Sequence, residues 1–216
     1  ADKTPQFTFV YKAKLNAEAV IGQTGNKNSV KLIYDYNNNP SGDIESQPQE
    51  TTVYTWGIDI LKQGEDSQNL NGVEFELYNG KVADANKMKF TGSNGVYRPD
   101  ADGSTTLTTA NGGKLQIRGL EAGTYILKEI KTNQGYVLLK DTITIKITDT
   151  DIAGEASATV ANGTSSATSV TMIEDNGSAQ ALVPLTVVNN KGFDLPQTGA
   201  AGTAIFAIAG IVLVAV

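Results

Sequence analysis

Three polar residues sit where the alternation of their segments turns them inward. In Ile58-Asp59-Ile60-Leu61-Lys62, the lysine shares a face with Ile58 and Ile60. In Tyr125-Ile126-Leu127-Lys128-Glu129, the glutamate shares a face with Tyr125 and Leu127, and Asn189 falls in phase with Val183, Leu185 and Val187. Side chains alternate across a strand, so each polar group points where its apolar neighbours point. Buried singly, a lysine, a glutamate and an asparagine are costly; brought together, they can react. Burial disfavours charge, so a Lys–Glu pair in an apolar core can sit neutral. A neutral Lys62 amine is a nucleophile, and Asn189 Cγ is an amide electrophile. A protonated Glu129 can polarise the amide carbonyl and shuttle a proton to departing ammonia. The product is an intramolecular isopeptide bond from first strand to last. Two alternatives stay open on residues alone. Lys62 can snorkel from its strand end to a surface acid, and Asn190 rivals Asn189, although alternation favours Asn189. Ile126 and Ile130 also lend the opposite face of the Glu129 strand some apolar character.

The elements that must position these residues are strands. Val53–Gln63, Val73–Asn79, Lys87–Thr91, Gly95–Arg98, Ser104–Thr108, Lys114–Arg118, Gly123–Lys131, Tyr136–Thr148 and Ala181–Asn190 are expected strands. Asn71-Gly72, Asn79-Gly80, Asn94-Gly95, Asp102-Gly103, Asn111-Gly112-Gly113 and Asn133-Gln134-Gly135 break the chain between them. That spacing predicts an all-β fold, an antiparallel immunoglobulin-like β-sandwich over residues 53–192. Residues 149–180, rich in Ala, Ser, Thr and Gly, are expected to be either a long insertion loop or an extra hairpin, with Thr168–Glu174 the favoured strand within it. Residues 1–52 carry strand-like runs at Phe7–Lys14 and Asn28–Tyr36, too few to close a sandwich. They are expected to be the C-terminal part of a preceding β domain, with turn residues at Asn37–Asp43 and a polar linker at Ser46–Thr52.

Composition narrows the chemistry further. The 216 residues carry a formal net charge of −6, which argues against a nucleic-acid partner. With no Cys and no His, disulfides, thiol catalysis and His-based metal sites are excluded. Asp100-Ala101-Asp102-Gly103 looks like half a calcium loop but lacks the downstream glutamate, and reads better as a surface turn. No metal or cofactor is expected. The last segment, Ala200 to Val216, holds no charged residue; as a helix it would span about 25 Å, the lower edge of a bilayer core. It is expected to be a membrane-spanning tail. No signal peptide opens the chain and no Lys or Arg closes the tail, so residues are expected to be missing from both ends.

Leu195-Pro196-Gln197-Thr198-Gly199, directly before that tail, resembles the Leu-Pro-x-Thr-Gly sorting signal of Gram-positive cell-surface proteins. The resemblance implies a sortase that cleaves between Thr198 and Gly199 and joins the Thr198 carbonyl to an amine. Pro196 suits the task, since its fixed φ and missing N–H keep the segment extended. Leu120-Glu121-Ala122-Gly123-Thr124-Tyr125-Ile126-Leu127-Lys128-Glu129, with Gly135-Tyr136, resembles the E-box of Cna-B-type domains. Ile58–Lys62, Leu70–Tyr78 and Leu185–Lys191 resemble that family's opening, second and closing strands. In that family the residues matching Lys62, Glu129 and Asn189 form the isopeptide. Gly25–Tyr34 and Asn38-Asn39-Pro40 are similar to the end of the preceding domain in sortase-assembled backbone pilins. There an asparagine matching Asn28 bonds a lysine near that domain's start, which this chain does not include. The acceptor lysine for the next subunit lies upstream in the family and is likewise absent here.

These resemblances imply a structural subunit of a covalently polymerised pilus on a Gram-positive cell wall. Its partners would be sortase, neighbouring pilin subunits, peptidoglycan and, before sorting, the membrane. The alternative is the stalk of a singly anchored adhesin, and upstream sequence would separate the two. An enzyme acting on an external substrate fits poorly, because the reactive constellation is buried and consumes itself.

Overall fold

The computed structural model describes residues 8, 10–16, 18–34 and 44–192. In chain order the strands are β1 (Asn26–Val30), β2 (Ile33–Tyr34), β3 (Ile44–Glu45), β4 (Gln49–Val53), β5 (Trp56–Gly64), β6 (Glu74–Asn79), β7 (Phe90–Ser93) and β8 (Val96–Pro99). There follow β9 (Leu107–Thr108), β10 (Lys114–Leu120), β11 (Gly123–Lys131), β12 (Ile143–Asp149), β13 (Ala156–Asn162), β14 (Thr168–Val170), β15 (Ile173–Asp175) and β16 (Ser178–Asn189). Two six-stranded sheets result, in the orders β15-β16-β5-β10-β8-β7 and β14-β13-β12-β11-β6-β9. The all-β expectation holds.

Alternation builds the core. Ile58, Ile60, Leu115, Ile117, Val183 and Val187 from one sheet meet Phe75, Leu77, Tyr125, Leu127, Ile143, Ile145 and Ile147 from the other. Each such side chain, fully buried, contributes about 1.5–3 kcal/mol against exposure. Two-residue Asn-Gly turns set the registers of the hairpins. Asn94-Gly95 joins Ser93 to its partner Val96, and both turn residues have positive φ (54° and 79°), as the favoured hairpin geometry requires. Asn176-Gly177 closes β15 onto β16 in the same way.

The sheets are not purely antiparallel, contrary to expectation. β16 runs parallel to β5, from Leu182 opposite Gly57 to Asn189 opposite Gly64, and β10 runs parallel to β8. Parallel neighbours need a long crossover, and here the whole of the intervening chain supplies it. Several expectations about where strands lie are also corrected. Val53 ends β4, paired with Asn26, and the sandwich strand begins at Trp56. Ser46–Thr52 is not simply a linker, since Gln49–Val53 pairs along β1. Residues 149–180 hold β13, β14, β15 and the start of β16, more than a long loop or one extra hairpin. The described residues of Phe7–Lys14 form no strand, and β2 pairs β3 in a separate two-stranded ribbon.

The segment before the sandwich is seated on it by Ile21, only 1% exposed, which packs with Ala181 and Leu182. Gly22 follows at φ +82°, donating its N–H to Thr55 O at 2.7 Å. A Cβ at Gly22 would come 2.8 Å from Ala181 Cβ, so glycine allows both the turn and the close approach.

Candidate functional site

β5 and β16 are neighbours in one sheet; β11 lies in the other. Lys62, near the end of β5, stands opposite Val187, and Asn189 lies one pleat further along the same face of β16. Glu129 reaches across from β11, where it pairs with Phe75 of β6. The three residues therefore meet between the sheets, at the end of the sandwich from which β16 leaves. Lys62 and Asn189 are wholly buried and Glu129 is 3% exposed. Asn190, the rival, is exposed.

Lys62 Nζ lies 3.6 Å from Glu129 Oε1 and donates to the carbonyls of Val187 (3.2 Å) and Gln63 (3.3 Å). Burial pushes the Lys62 amine below its ordinary pKa, and the charge and hydrogen bonding of Glu129 only partly oppose this. Asn189 Nδ2 donates to both Glu129 oxygens, at 3.0 and 2.9 Å, and to Thr132 Oγ1 at 2.7 Å. Glu129 Oε2 accepts a further bond, 2.8 Å, from the Leu139 N–H. An amine, an amide and a carboxyl group within reach of both are buried together between the sheets. That arrangement can transfer an acyl group from amide nitrogen to lysine nitrogen.

The chain after β11 closes the site, and alternation alone did not disclose it. A bulge between Glu129 and Lys131 shifts the register against β6. Lys131 consequently points outward to Glu74 (2.5 Å), while Thr132 returns to the face of Glu129. Tyr136 bridges to Lys191, and Val137 donates to Asn190 O at 2.9 Å. The Tyr136 ring lies against Gly64, where any Cβ would overlap it, and its hydroxyl donates to Asp66. Residues 136–142, expected as strand, are thus a loop spent on covering the pocket, and β12 starts only at Ile143.

Asn28 is exposed on β1, its carboxamide donating to the Tyr11 hydroxyl. Asp100–Gly103 forms a turn, with Gly103 N–H donating to Asp100 O at 3.1 Å. Leu195, Pro196, Gln197, Thr198, Gly199 and the apolar tail lie outside the described residues. Among the described residues, no helix is long and apolar enough to cross a membrane.

Comparisons with known proteins bear on the fold and on the anchor motif. Residues 57–162 match the SpaA family, a prealbumin-like fold domain, and residues 187–216 match the LPXTG cell wall anchor motif of Gram-positive bacteria. The chain therefore carries a SpaA-type prealbumin-like domain followed by a cell-wall anchor motif, and its place is the Gram-positive cell surface. No curated protein matches it. Among solved structures it is similar to the pilus 2b backbone protein of group B streptococcus (27% identity, 77% of this chain and 51% of that one, TM-score 0.43). It is also similar to BcpA, the major pilin subunit of Bacillus cereus (21% identity, 81% and 41%, TM-score 0.46). A third is a C-terminal fragment of the major pilin GBS80 of Streptococcus agalactiae (22% identity, 79% and 56%, TM-score 0.47). The chain thus spans about half the length of these relatives.

Proposed function

We propose that this chain belongs to a structural subunit of a covalently polymerised, cell-wall-anchored pilus, and that its sandwich is locked by an autocatalytic Lys62–Asn189 isopeptide bond. The observation that carries the reading is the burial of Lys62, Glu129 and Asn189 together between the sheets, with Asn189 inside the segment that matches the anchor motif. Lys62 is the nucleophile, Asn189 the acyl donor, and Glu129 carries the proton. Burial favours the uncharged amine, so the attacking form is available without an external base. The chemistry turns over once and consumes its own residues; the protein acts as substrate, not catalyst, toward sortase. On the same reading, residues 1–52 close a preceding β domain, 53–192 are the cross-linked module, 193–199 are the sorting signal and 200–216 the membrane tail.

Intact mass tests the bond. The folded chain should be lighter than its sequence by one ammonia, and Glu129→Ala should restore the full mass. Full sequence mass in the folded wild type would refute the cross-link. Anchoring is tested separately with Thr198→Ala, which should leave the sandwich folded but abolish covalent attachment to wall or fibre. Persistence of high-molecular-weight ladders in that variant would refute the sorting role.

A further inference from the structure

We propose that the Thr132 hydroxyl is a second hydrogen-bond donor to the Asn189 amide oxygen as the isopeptide forms, completing a two-donor oxyanion site with Glu129. The proposal rests on the cross-link reading above. Three oxygens surround Asn189 Nδ2: both carboxyl oxygens of Glu129 and Thr132 Oγ1, the last the nearest at 2.7 Å. An amide nitrogen has only two protons for them. Asn189 Oδ1, meanwhile, is buried and accepts nothing. A half-turn of the carboxamide exchanges the two atoms with little change of shape and places Oδ1 among the three oxygens.

The two orientations suit two protonation states. With Glu129 ionised and Lys62 charged, Nδ2 donates to the carboxylate. With the pair neutral, the Glu129 O–H donates to Oδ1. A hydroxyl serves both, because it accepts in the first and donates in the second. In the neutral state two O–H groups therefore converge on the oxygen that must bear charge. The Lys62 Nζ lone pair attacks Asn189 Cγ, and the carbonyl π pair moves to Oδ1, held by Glu129 and Thr132. Glu129, having given its proton to Oδ1, takes one from Nζ and delivers it to Nδ2, and the Oδ1 proton returns to Glu129 as the intermediate collapses. The C=O re-forms, the Cγ–Nδ2 bond breaks, and one ammonia leaves for each amide made. No other reactant is needed. The bulge at Ile130 belongs to the same device, since without it Thr132 would fall on the outer face.

The test is the rate of ammonia loss in the full chain, made by cell-free translation, quenched in acid at intervals and weighed intact. Thr132→Val keeps the shape and removes the hydroxyl; Thr132→Ser keeps the hydroxyl. Removing one preorganised oxyanion donor slows acyl transfer by about 100-fold or more. Thr132→Val should show that loss, and Thr132→Ser should react at close to the wild-type rate. Melting of Lys62→Met with and without Thr132→Val measures any purely structural effect, and the two should coincide. Equal rates in wild type and Thr132→Val would overturn the proposal, as would equal slowing in the Ser and Val variants. A wild type that never loses ammonia would instead overturn the cross-link reading, and this proposal with it.

Discussion

Two lysine–glutamate pairs in this molecule share chemistry and differ in almost everything else. Lys87 and Glu76 lie on the outer side of β6, 2.9 Å apart, with side chains 24% and 13% exposed. Tyr78 donates to the same carboxylate at 2.6 Å, and Lys87 stands 5.7 Å from the centre of its ring. Lys62 and Glu129 are further apart, 3.6 Å, and wholly enclosed. The Glu76 hydrogen bond holds Lys87 above the ordinary lysine pKa, whereas burial holds Lys62 below it. Both place an amine beside a carboxyl group, and the degree of desolvation is the difference that decides the sign of the lysine's shift. Where water reaches the pair, charge separation persists and the result is a salt bridge. Where water is excluded, the neutral amine is favoured, and on the proposed reading the amide beside it makes the pair a reagent.

The largest expected effect comes from removing the reagent. Joining Lys62 to Asn189 closes a loop of roughly 130 residues, and by analogy with a disulfide of that span it stabilises by about 4–5 kcal/mol. Lys62→Ala forfeits this and also leaves Glu129 and Asn189 unpaired in the core, so its loss should be greater still. Lys62→Met keeps the bulk and should isolate the cross-link, lowering the melting temperature by about 10–20 °C. Thermal unfolding and trypsin resistance check both. If Lys62→Met melts with the wild type, the enclosed pair is merely structural and the contrast with Lys87 collapses. The parallel pairing of β5 with β16 adds a mechanical corollary. The chain enters the sandwich at the Trp56 end of β5 and leaves at the Asn189 end of β16, so tension would shear those two strands. A bond at Lys62 carries that load across and leaves residues 63–188 unstretched.

The legible part of this contrast was the part governed by alternation. Lys62, Glu129 and Asn189 were identifiable because each sits in phase with buried neighbours on a long regular strand. Thr132 was not, because the bulge after Glu129 resets the phase, and a bulge leaves no mark in Glu129-Ile130-Lys131-Thr132. Leu139 was hidden for another reason. It contributes a backbone N–H, which every residue but proline possesses, so its identity carries no signal. The parallel β16–β5 pairing also escaped prediction. Partner choice between distant strands depends on the global path of the chain, whereas the Asn-Gly hairpins are written locally. Asn176-Gly177 carries that local signal and closes β15 onto β16 within the first sheet; the crossing from the second sheet falls earlier, between Val170 and Ile173.

A second, smaller effect is a pH dependence confined to the uncross-linked state. Asn189→Ala leaves Lys62 as a free buried amine whose folded pKa lies below the unfolded value near 10.5. Between those values the unfolded chain holds the proton and the folded chain does not, so stability rises with pH. It should be least where the folded protein must carry the charge, and the contribution is complete only above the unfolded value. If the cross-link forms as proposed, the wild type consumes the amine and Lys62 contributes no such slope. Urea midpoints from pH 7 to 10 should climb in Asn189→Ala relative to wild type, and parallel profiles would show that Lys62 is uncoupled from folding.

The smallest effect belongs to the surface pair, and its sign is opposite at the alkaline end. The folded pKa of Lys87 is raised, so its contribution is present below 10.5 and fades as pH climbs through the folded value. Burial works to raise Glu76, but hydrogen bonds from Lys87 and Tyr78 outweigh it and hold the carboxyl low. That contribution is present above the ordinary glutamate value of 4.5 and is lost as pH falls through the folded one. Between these limits the pair is fully charged and its energy flat with pH. Exposure lets water and salt screen it, so Lys87→Met should leave the melting temperature nearly unchanged at physiological ionic strength. A double-mutant cycle with Glu76→Gln, run in low and high salt, should give a coupling that shrinks as salt is added. A large, salt-independent coupling would mean that desolvation also governs the outer pair, and burial could no longer explain why only Lys62 is placed to react.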